Sequence, residues 1–471
     1  MLSKTGIVLF AVFLIVLSIR SHAQAPDTLW TRHYGGVEFD EGWQVKNTVD
    51  GGFIIVGYTG VPGDIFLIKT DSDGDTLWTN SIDYSSDDIG RSVESLEDGG
   101  YIVTGCVLQD IALIRTDSSG NEIWHSFLGF GYGRAVRAIG DGSFIIAGYA
   151  VVNGGDCQVY IAKTDHFGNL LWSKEYGGSE PEMAWDVRET ADGGFVVLGW
   201  TESFGNGLAD IYLIKTDANG DSLWTKTYGG TSNDEGRSIL VKEDGGFIIA
   251  GKISDNSGNT DIGVICTDSV GSTTWIRNYY DDGTTIANSI ASTYDGGYVI
   301  TGINVTVGPI SSSVIKINSD GDSLWSTKIR DPSENLYCRS IVQSTDGGFV
   351  IAGYHYVQGY SNEVFLCKLA SDIVGIEEEN AILPDNIILQ QNYPNPFNAS
   401  TSISFMLSER QNIVISIYDL LGRKISVLTE GYLNAGTYVV TFDGCDLTSG
   451  IYFYNLKAGD IGQTKSMILL K

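Results

Sequence analysis

The chain is poor in the residues on which common chemistries depend. It has only 5 histidines in 471 residues. Beyond His22, they are His33, His125, His166 and His355, scattered over unrelated strand contexts. HExxH, GxSxG and GxxxxGK[ST] are all missing, so no zinc protease, serine hydrolase or P-loop signature is present. The six cysteines (Cys106, Cys157, Cys266, Cys338, Cys367 and Cys445) form no CxxC pair and are irregularly spaced. That pattern supports neither a zinc site nor a disulfide framework. Cys106, Cys266, Cys338 and Cys367 stand where other copies of an internal repeat carry other residues, so they are expected as small buried apolar groups. Basic residues number 29 against 58 acidic ones, a net charge of −29. Such a surface disfavours nucleic acid and anionic membrane. With 8 prolines, the chain is neither collagen-like nor a Pro-rich linker.

Long apolar runs are also missing, with one exception. Lys4 precedes Gly6 to Ile19, interrupted only by Ser18, and Ser21-His22-Ala23 supplies small residues at the −3 and −1 positions. This predicts a signal peptide over 1–23, cleaved after Ala23 or, as second choice, Ala25. The run is short for a span, which needs about 20 residues; an uncleaved anchor is the other reading. No cysteine precedes Cys106, so a lipid anchor at the cleavage site is not expected. No other stretch suits an integral membrane protein.

What the chain does have is glycine (59), tyrosine (24), phenylalanine (18) and tryptophan (10), the composition of short strands joined by tight turns. An Asp-Gly-Gly-aromatic marker recurs at Asp50, Asp98, Asp192, Asp244, Asp295 and Asp346, and is altered to Asp141-Gly142-Ser143-Phe144 in a seventh copy. Tryptophan follows the same period at Trp30, Trp78, Trp124, Trp172, Trp224, Trp275 and Trp325. Each copy reads as four strands. In the first these are A (Gly42–Val45), B (Phe53–Tyr58), C (Asp64–Lys69) and D (Thr76–Thr79). Asp-Gly predicts a type I′ hairpin between A and B. Four strands per repeat of about 40–50 residues predict an all-β fold, a seven-bladed β-propeller over 27–371. The phase supports a closed ring. Trp30 precedes the first Asp-Gly-Gly turn, and the last repeat has no Leu-Trp strand of its own, so Asp27-Thr28-Leu29-Trp30 is expected to complete it.

The A–B and C–D turns are nearly constant in length, whereas the D–A and B–C connections vary and should share one face, as on a binding surface. Strand A should line the central channel. One of its columns reads Trp43, Arg91, Arg134, Trp185, Arg237, Asn288 and Arg339, with Asp40, Glu41, Asp88, Glu182, Asp234 and Glu235 nearby. A second column opens strand C at Asp64, Asp110, Asp210, Asp261 and Glu363. Two readings stand: repeated ion pairs and arginine packing between blades, or a ring of arginine and tryptophan that holds an acidic or neutral glycan, or a peptide. The turn Asp71-Ser72-Asp73-Gly74-Asp75 superficially resembles a calcium loop, but its Gly is at position 4 and position 12 is Ile82, so a plain hairpin is expected and no metal. Quinone-dependent dehydrogenase propellers share a spacing like Gly74…Trp78, and this chain resembles them in that respect alone; the adjacent Cys-Cys pair they typically carry is missing. No cofactor and no catalytic residue is assigned. The alternative to a binding module is a hydrolase or lyase using top-face carboxylates.

After Leu369 the repeat stops. Residues 372–386, with Glu377-Glu378-Glu379, read as a linker, and 387–471 as a small β-sandwich. Its ordered motifs are Gln391-Asn392-Tyr393-Pro394-Asn395-Pro396-Phe397-Asn398, Ile417-Tyr418-Asp419-Leu420-Leu421-Gly422-Arg423, Ala435-Gly436-Thr437-Tyr438, Ser449-Gly450-Ile451-Tyr452-Phe453-Tyr454 and a terminal Lys465 to Lys471. They resemble the type A C-terminal sorting domain of type IX secretion, and are similar to the Ig-like domain of the flagellar hook-capping protein. The resemblance implies an Ig-like module, handling by the type IX machinery, and release or display outside the outer membrane of a Gram-negative cell. Within it, Asn392, Pro394, Asn395, Pro396, Asp419, Gly422, Gly450 and Tyr452 carry the match. A plain Ig-like accessory module is the other reading. The repeats also look like the Asp-Gly-Gly repeats of secreted bacterial propellers. A monomer is expected.

Overall fold

The computed structural model describes residues 24–372 and 388–470, apart from 37, 85–86, 153–155, 255–259, 280–283, 306–308, 332–334, 357–361, 393–394, 396, 399, 408–409, 421, 434–435, 445–446 and 460. The expected signal peptide, the linker beyond Asp372, and Pro394 and Pro396 lie outside the described residues. Two compact units divide the chain, 1–373 and 374–471.

The first unit is all strand. Five sheets have four antiparallel strands each, and a seven-stranded sheet comprises two such stacks sharing the long strand Glu122–Ala138. The inner strands are Asp40–Asn47, Ile89–Ser95, the second half of Glu122–Ala138, Glu182–Glu189, Glu235–Val241, Thr284–Ser292 and Asn335–Gln343. Each touches the next, and the last touches the first. This is a β-propeller organisation, a ring of small sheets about one axis. The last sheet takes its outer strand from the other end of the chain, with Thr28–Tyr34 pairing against Asn362–Leu369, Thr31 opposite Cys367.

Strands B and C are apolar on both faces because each sheet is packed between two others. Ile54, Val56, Ile65 and Leu67 of the first repeat share a core cluster with Val93, Val103, Ala112 and Ile114 of the second. The cluster of Val45, Phe53 and Ile55 with Val350, Val364 and Leu366 does the same across the closure. Full burial of such side chains stabilises by about 1.5–3 kcal/mol each. Tryptophan gives the contact between repeats a fixed address. Trp30, Trp78, Trp124, Trp172, Trp224 and Trp275 each lie against the C–D-turn glycine of the following repeat (Gly74, Gly120, Gly168, Gly220, Gly271 and Gly321), where a Cβ would come within 2.4–2.9 Å of the indole. Gly74 therefore receives Trp30, not Trp78 of its own repeat. Trp325 has no such turn ahead of it; its Nε1 donates to Asp372 at 2.8 Å, and Lys316 lies 3.1 Å from the same carboxylate. Asp372, the first residue read as linker, thus packs within this unit.

The Asp-Gly-Gly turn differs from the type I′ expectation. Gly51 has φ 83° while Asp50 keeps a negative φ, and Gly51 N–H donates to Thr48 at 2.9 Å. This is a type I turn followed by a left-handed glycine. The Asp50 carboxylate accepts from Gly52 N–H, Thr48 Oγ1 and Lys69 Nζ. The aspartate is kept because it ties the turn to strand C. Where Cys266 replaces that lysine, Lys242 pairs with Asp244 at 2.8 Å instead. In the C–D turn, Asp71 Oδ1 accepts from the N–H groups of Asp73 and Asp75, and Asn318 does the same as a neutral amide. The turn needs an acceptor, not a charge.

The second unit stacks a three-stranded sheet (Ile388–Leu389, Ser400–Leu407, Gly436–Asp443) and a four-stranded one (Lys424–Leu433, Gln411–Tyr418, Gly450–Ala458, Ile461–Leu469) around one core. Ile403, Phe405 and Phe442 of one sheet meet Ile413, Ile415, Tyr454 and Met467 of the other.

Candidate functional site

Each of the seven channel-column residues sits on a β-bulge. The A–B register slips at Trp43, Arg91, Arg134, Trp185, Arg237, Asn288 and Arg339 in turn. A bulge leaves one residue unpaired and re-aims its side chain. Opposite each stands a strand-B glycine, and the bulge requires it: a Cβ on Gly199 would lie 1.8 Å from the carbonyl oxygen of Met183. The residue after the bulge then fastens one inner strand to the next. Val93 N–H donates to Gln44 at 2.8 Å, Val136 to Ser92 at 3.2 Å, Ile239 to Asp186 at 3.2 Å, Ile290 to Ser238 at 3.4 Å and Ile341 to Ser289 at 3.3 Å. Val45 closes the circle on Ser340 at 3.3 Å. Ala135 has no acceptor to offer, and Val187 N–H turns to the other oxygen of Asp186, at 2.9 Å.

The bulged side chains form a layer of half-buried groups. Trp43 lies between the guanidiniums of Arg91 (3.7 Å to the ring centroid) and Arg339 (4.4 Å). Trp185 lies between Arg134 (4.4 Å) and Arg237 (4.7 Å). The indole faces on which a sugar was expected to stack are therefore covered by guanidiniums. Arg237 is further held by Glu235 at 2.8 Å and Asn288 at 3.1 Å, and Arg339 by the Tyr354 hydroxyl at 3.1 Å. Arg339, Arg134 and Arg91 have no such carboxylate, and Tyr149 is to Arg134 what Tyr354 is to Arg339. Nε of each of the four arginines is buried without a hydrogen-bond partner, and so is Nη1 of Arg91. Burial, together with the charges of Arg134 and Arg339, pushes Arg91 down to about 9. Burial holds Glu41 above the usual carboxylate range, although Tyr58, Arg339, Arg91 and Asn362 favour its charged form.

Three residues further along strand A lies a second layer that the sequence reading missed. It runs Lys46, Glu94, Arg137 and Arg188 in four successive repeats, then Leu240, Ala291 and Val342. Lys46 Nζ is 3.1 Å from Glu94. Arg137 reaches Glu94 at 3.6 Å and Asp186 at 2.6 Å, and Arg188 reaches Asp186 at 3.1 Å. Burial would raise both acids, but the cations beside them prevail and hold Glu94 and Asp186 below their ordinary values. The strand-B glycine, present in every repeat, was the signal for this layer. It marks the bulge beyond which simple alternation counts the wrong face.

The carboxylates near the loops are engaged. Asp40, Asp88, Glu182 and Asp234 are buried, and they accept from the backbone N–H groups of Gly36, Tyr84, Gly178 and Gly230 at 2.7–3.1 Å, closing the D–A loops. In the second column, Asp210 accepts from Asn206 N–H at 2.6 Å. Cys106, Cys266, Cys338 and Cys367 are buried free thiols.

In the second unit the described motif residues mostly build the fold. Buried Asn392 receives Gln391 Nε2 and gives its Nδ2 to Thr401 at 3.0 Å; its N–H reaches the Tyr454 hydroxyl at 2.8 Å. Asn395 accepts from Ile468 N–H at 2.8 Å. Asp419 accepts from Arg423 N–H at 2.8 Å across a turn whose Gly422 has φ 75°, the same device as the C–D turns. Tyr452 donates to the Thr448 carbonyl at 2.7 Å. Gly450 is exposed at a strand start, and nothing in the structure requires glycine there.

Residues 391–470 match the secretion system C-terminal sorting domain. A stretch of 135 residues is 24% identical to the regulatory protein FlaEY of Caulobacter vibrioides, covering 25% of this chain and 14% of that protein's length. Among solved structures, the Pan2 WD40 domain of Neurospora crassa aligns with a TM-score of 0.47 at 10% identity, covering 70% of this chain and 89% of that one. A protein of unknown function from Dyadobacter fermentans aligns with a TM-score of 0.44 at 11% identity, covering 74% and 99%. Among the described residues no helix is long and apolar enough to cross a membrane.

Proposed function

We propose that this chain is an exported, monomeric binding or scaffold protein: a seven-bladed propeller presenting a ligand site at its channel, followed by an Ig-like unit that delivers it to the type IX machinery. Export rests on the sorting-domain match over 391–470. With the 1–23 signal peptide it implies passage through the periplasm and release or display outside the outer membrane. The Tyr452 hydroxyl bonded back to Thr448 is the corner expected of an Ig-like sandwich. The binding reading rests on the layer of Trp43, Arg91, Arg134, Trp185, Arg237 and Arg339. The hydrolase or lyase alternative needs two free carboxylates flanking a bond. The buried acids nearest the variable loops are instead committed to loop backbone, which favours binding.

Two measurements test the proposal. In a host with type IX secretion, the chain lacking 387–471 should stay in the periplasm; its normal appearance in the medium refutes the sorting role. On glycan and peptide arrays, the full mature chain should retain a defined ligand class without altering it. Turnover of a retained glycan or peptide refutes the non-enzymatic reading.

A further inference from the structure

The four arginines of the bulged layer are not equivalent, and the difference picks out a subsite. Arg237 is neutralised by Glu235 and bonded to Asn288, Arg339 is bonded to Tyr354 and Arg134 to Tyr149, whereas two nitrogens of Arg91, Nε and Nη1, are buried without partners. Arg91 and Arg134 stand on neighbouring repeats between the two indoles and lack a carboxylate of their own. Glu41 and Glu235 act on this layer, which holds four arginines, with Lys252 3.9 Å from Glu235. The layer thus keeps an excess of positive charge in a chain of net charge −29. Buried guanidinium nitrogens without partners are expensive, since an unsatisfied charged donor costs more than the roughly 1–3 kcal/mol of a neutral one. A bound anion would relieve that cost.

We propose that Arg91 and Arg134 together bind one carboxylate of an otherwise uncharged ligand, a uronic-acid sugar. This rests on the reading of the first unit as a binding module. Guanidiniums present planar paired donors to a carboxylate. Trp43 and Trp185 fix the guanidinium planes rather than stack on the ligand. The surrounding tyrosines supply hydroxyls and ring edges suited to a sugar: Tyr132 stacked on Tyr149 at 5.1 Å, and Tyr337 on Tyr354 at 4.7 Å. A polyanion is disfavoured by the acidic exterior.

The test is calorimetry on the full mature chain with an aldobiouronic acid (one galacturonate linked to one neutral sugar), its methyl ester and inorganic phosphate. The aldobiouronic acid should bind at least about tenfold tighter than either, a gap of about 1.4 kcal/mol, and R91Q/R134Q should remove that advantage. R237Q should leave it within about threefold, because Glu235 already holds that guanidinium. If R91Q/R134Q does not fold, the wild type decides: the aldobiouronic acid should protect Arg91 and Arg134 from an arginine-directed dicarbonyl, read by peptide mapping. Equal binding of acid and ester, binding that survives R91Q/R134Q, or no protection overturns the subsite while leaving a channel ligand possible. Loss of an array-identified peptide in R91Q/R134Q, without uronate binding, overturns the sugar and assigns the pair to a peptide C-terminus. Failure of every array and every probe overturns the binding reading as well.

Discussion

The two layers of strand-A side chains lie three residues apart on the same seven strands, yet they handle charge in opposite ways. In the bulged layer, guanidiniums lie on indoles and face one another; Arg134 leans on the Tyr149 hydroxyl, and Glu41 acts on Arg91 without outweighing its burial and its neighbouring arginines. In the layer of Lys46, Glu94, Arg137 and Arg188, each cation has an acid within 3.1 Å, and the other three repeats contribute only aliphatic groups. Density of charge therefore does not mark a site. The inner charges are paired, three cations on two acids, and hold neighbouring sheets together; the bulged charges keep capacity for something from outside.

The comparison can be broken at several levels. The largest effect should come from deleting Asp27 to Tyr34, which removes the outer strand of the last sheet and opens an edge. The first unit should lose its single cooperative melt in calorimetry, and an unchanged melt would refute closure. Next is Gly251→Ala, whose Cβ would stand 2.0 Å from the Glu235 carbonyl oxygen. It should cost about 3 kcal/mol or more in urea unfolding, by forcing out the bulge that both layers depend on. Third is Asp186→Asn, which leaves Arg137 and Arg188 buried beside a neutral amide and should cost about 3–5 kcal/mol. The matching acid titration has a defined sign. Because the folded-state pKa of Asp186 lies below the ordinary aspartate value of 3.8, its contribution is fully present above about pH 5 and is lost as pH falls through and below 3.8. The Asn variant should show a shallower acid limb. Smallest is Arg91→Gln. Its cation–π contact is worth about 0.5–2 kcal/mol, but relief of repulsion from Arg134 and Arg339 offsets it, so stability should stay within about 1 kcal/mol of wild type. A loss as large as that of Asp186→Asn would show that the two layers do not differ.

Much of this architecture was legible in the sequence because repeats expose their own grammar. The Asp-Gly-Gly and tryptophan markers located each strand to within a few residues, and the early Trp30 foretold the strand that closes the ring. The column of Trp43, Arg91 and Arg134 was also visible. Its neighbour was not, since the bulge inserts a residue: alternation from Trp43 leads to Val45, which is fully buried in the core, and not to Lys46. Which of the column's arginines are already held had to come from the structure, because nothing in the spacing shows that Glu235, Asn288 and Tyr354 engage Arg237 and Arg339. In the second unit, sequence motifs identified the module, yet buried Asn392 and the Asp419 turn serve its folding, so conspicuous motif residues need not be the surface a secretion apparatus reads.

The strand Thr28–Tyr34 has a consequence in time as well as in space. It leaves the ribosome among the first residues of this unit, but its partner, Asn362–Leu369, is made more than three hundred residues later. Until then, the earliest strand has no place in the structure, and the last sheet lacks its outer edge. Closure of so long a loop is slow compared with local hairpin formation. Most of the sheets can thus stand while the circle remains open. The interval before closure is one in which both edges of the ring stay open to other partners, and pairing of Thr28–Tyr34 with Asn362–Leu369 ends it.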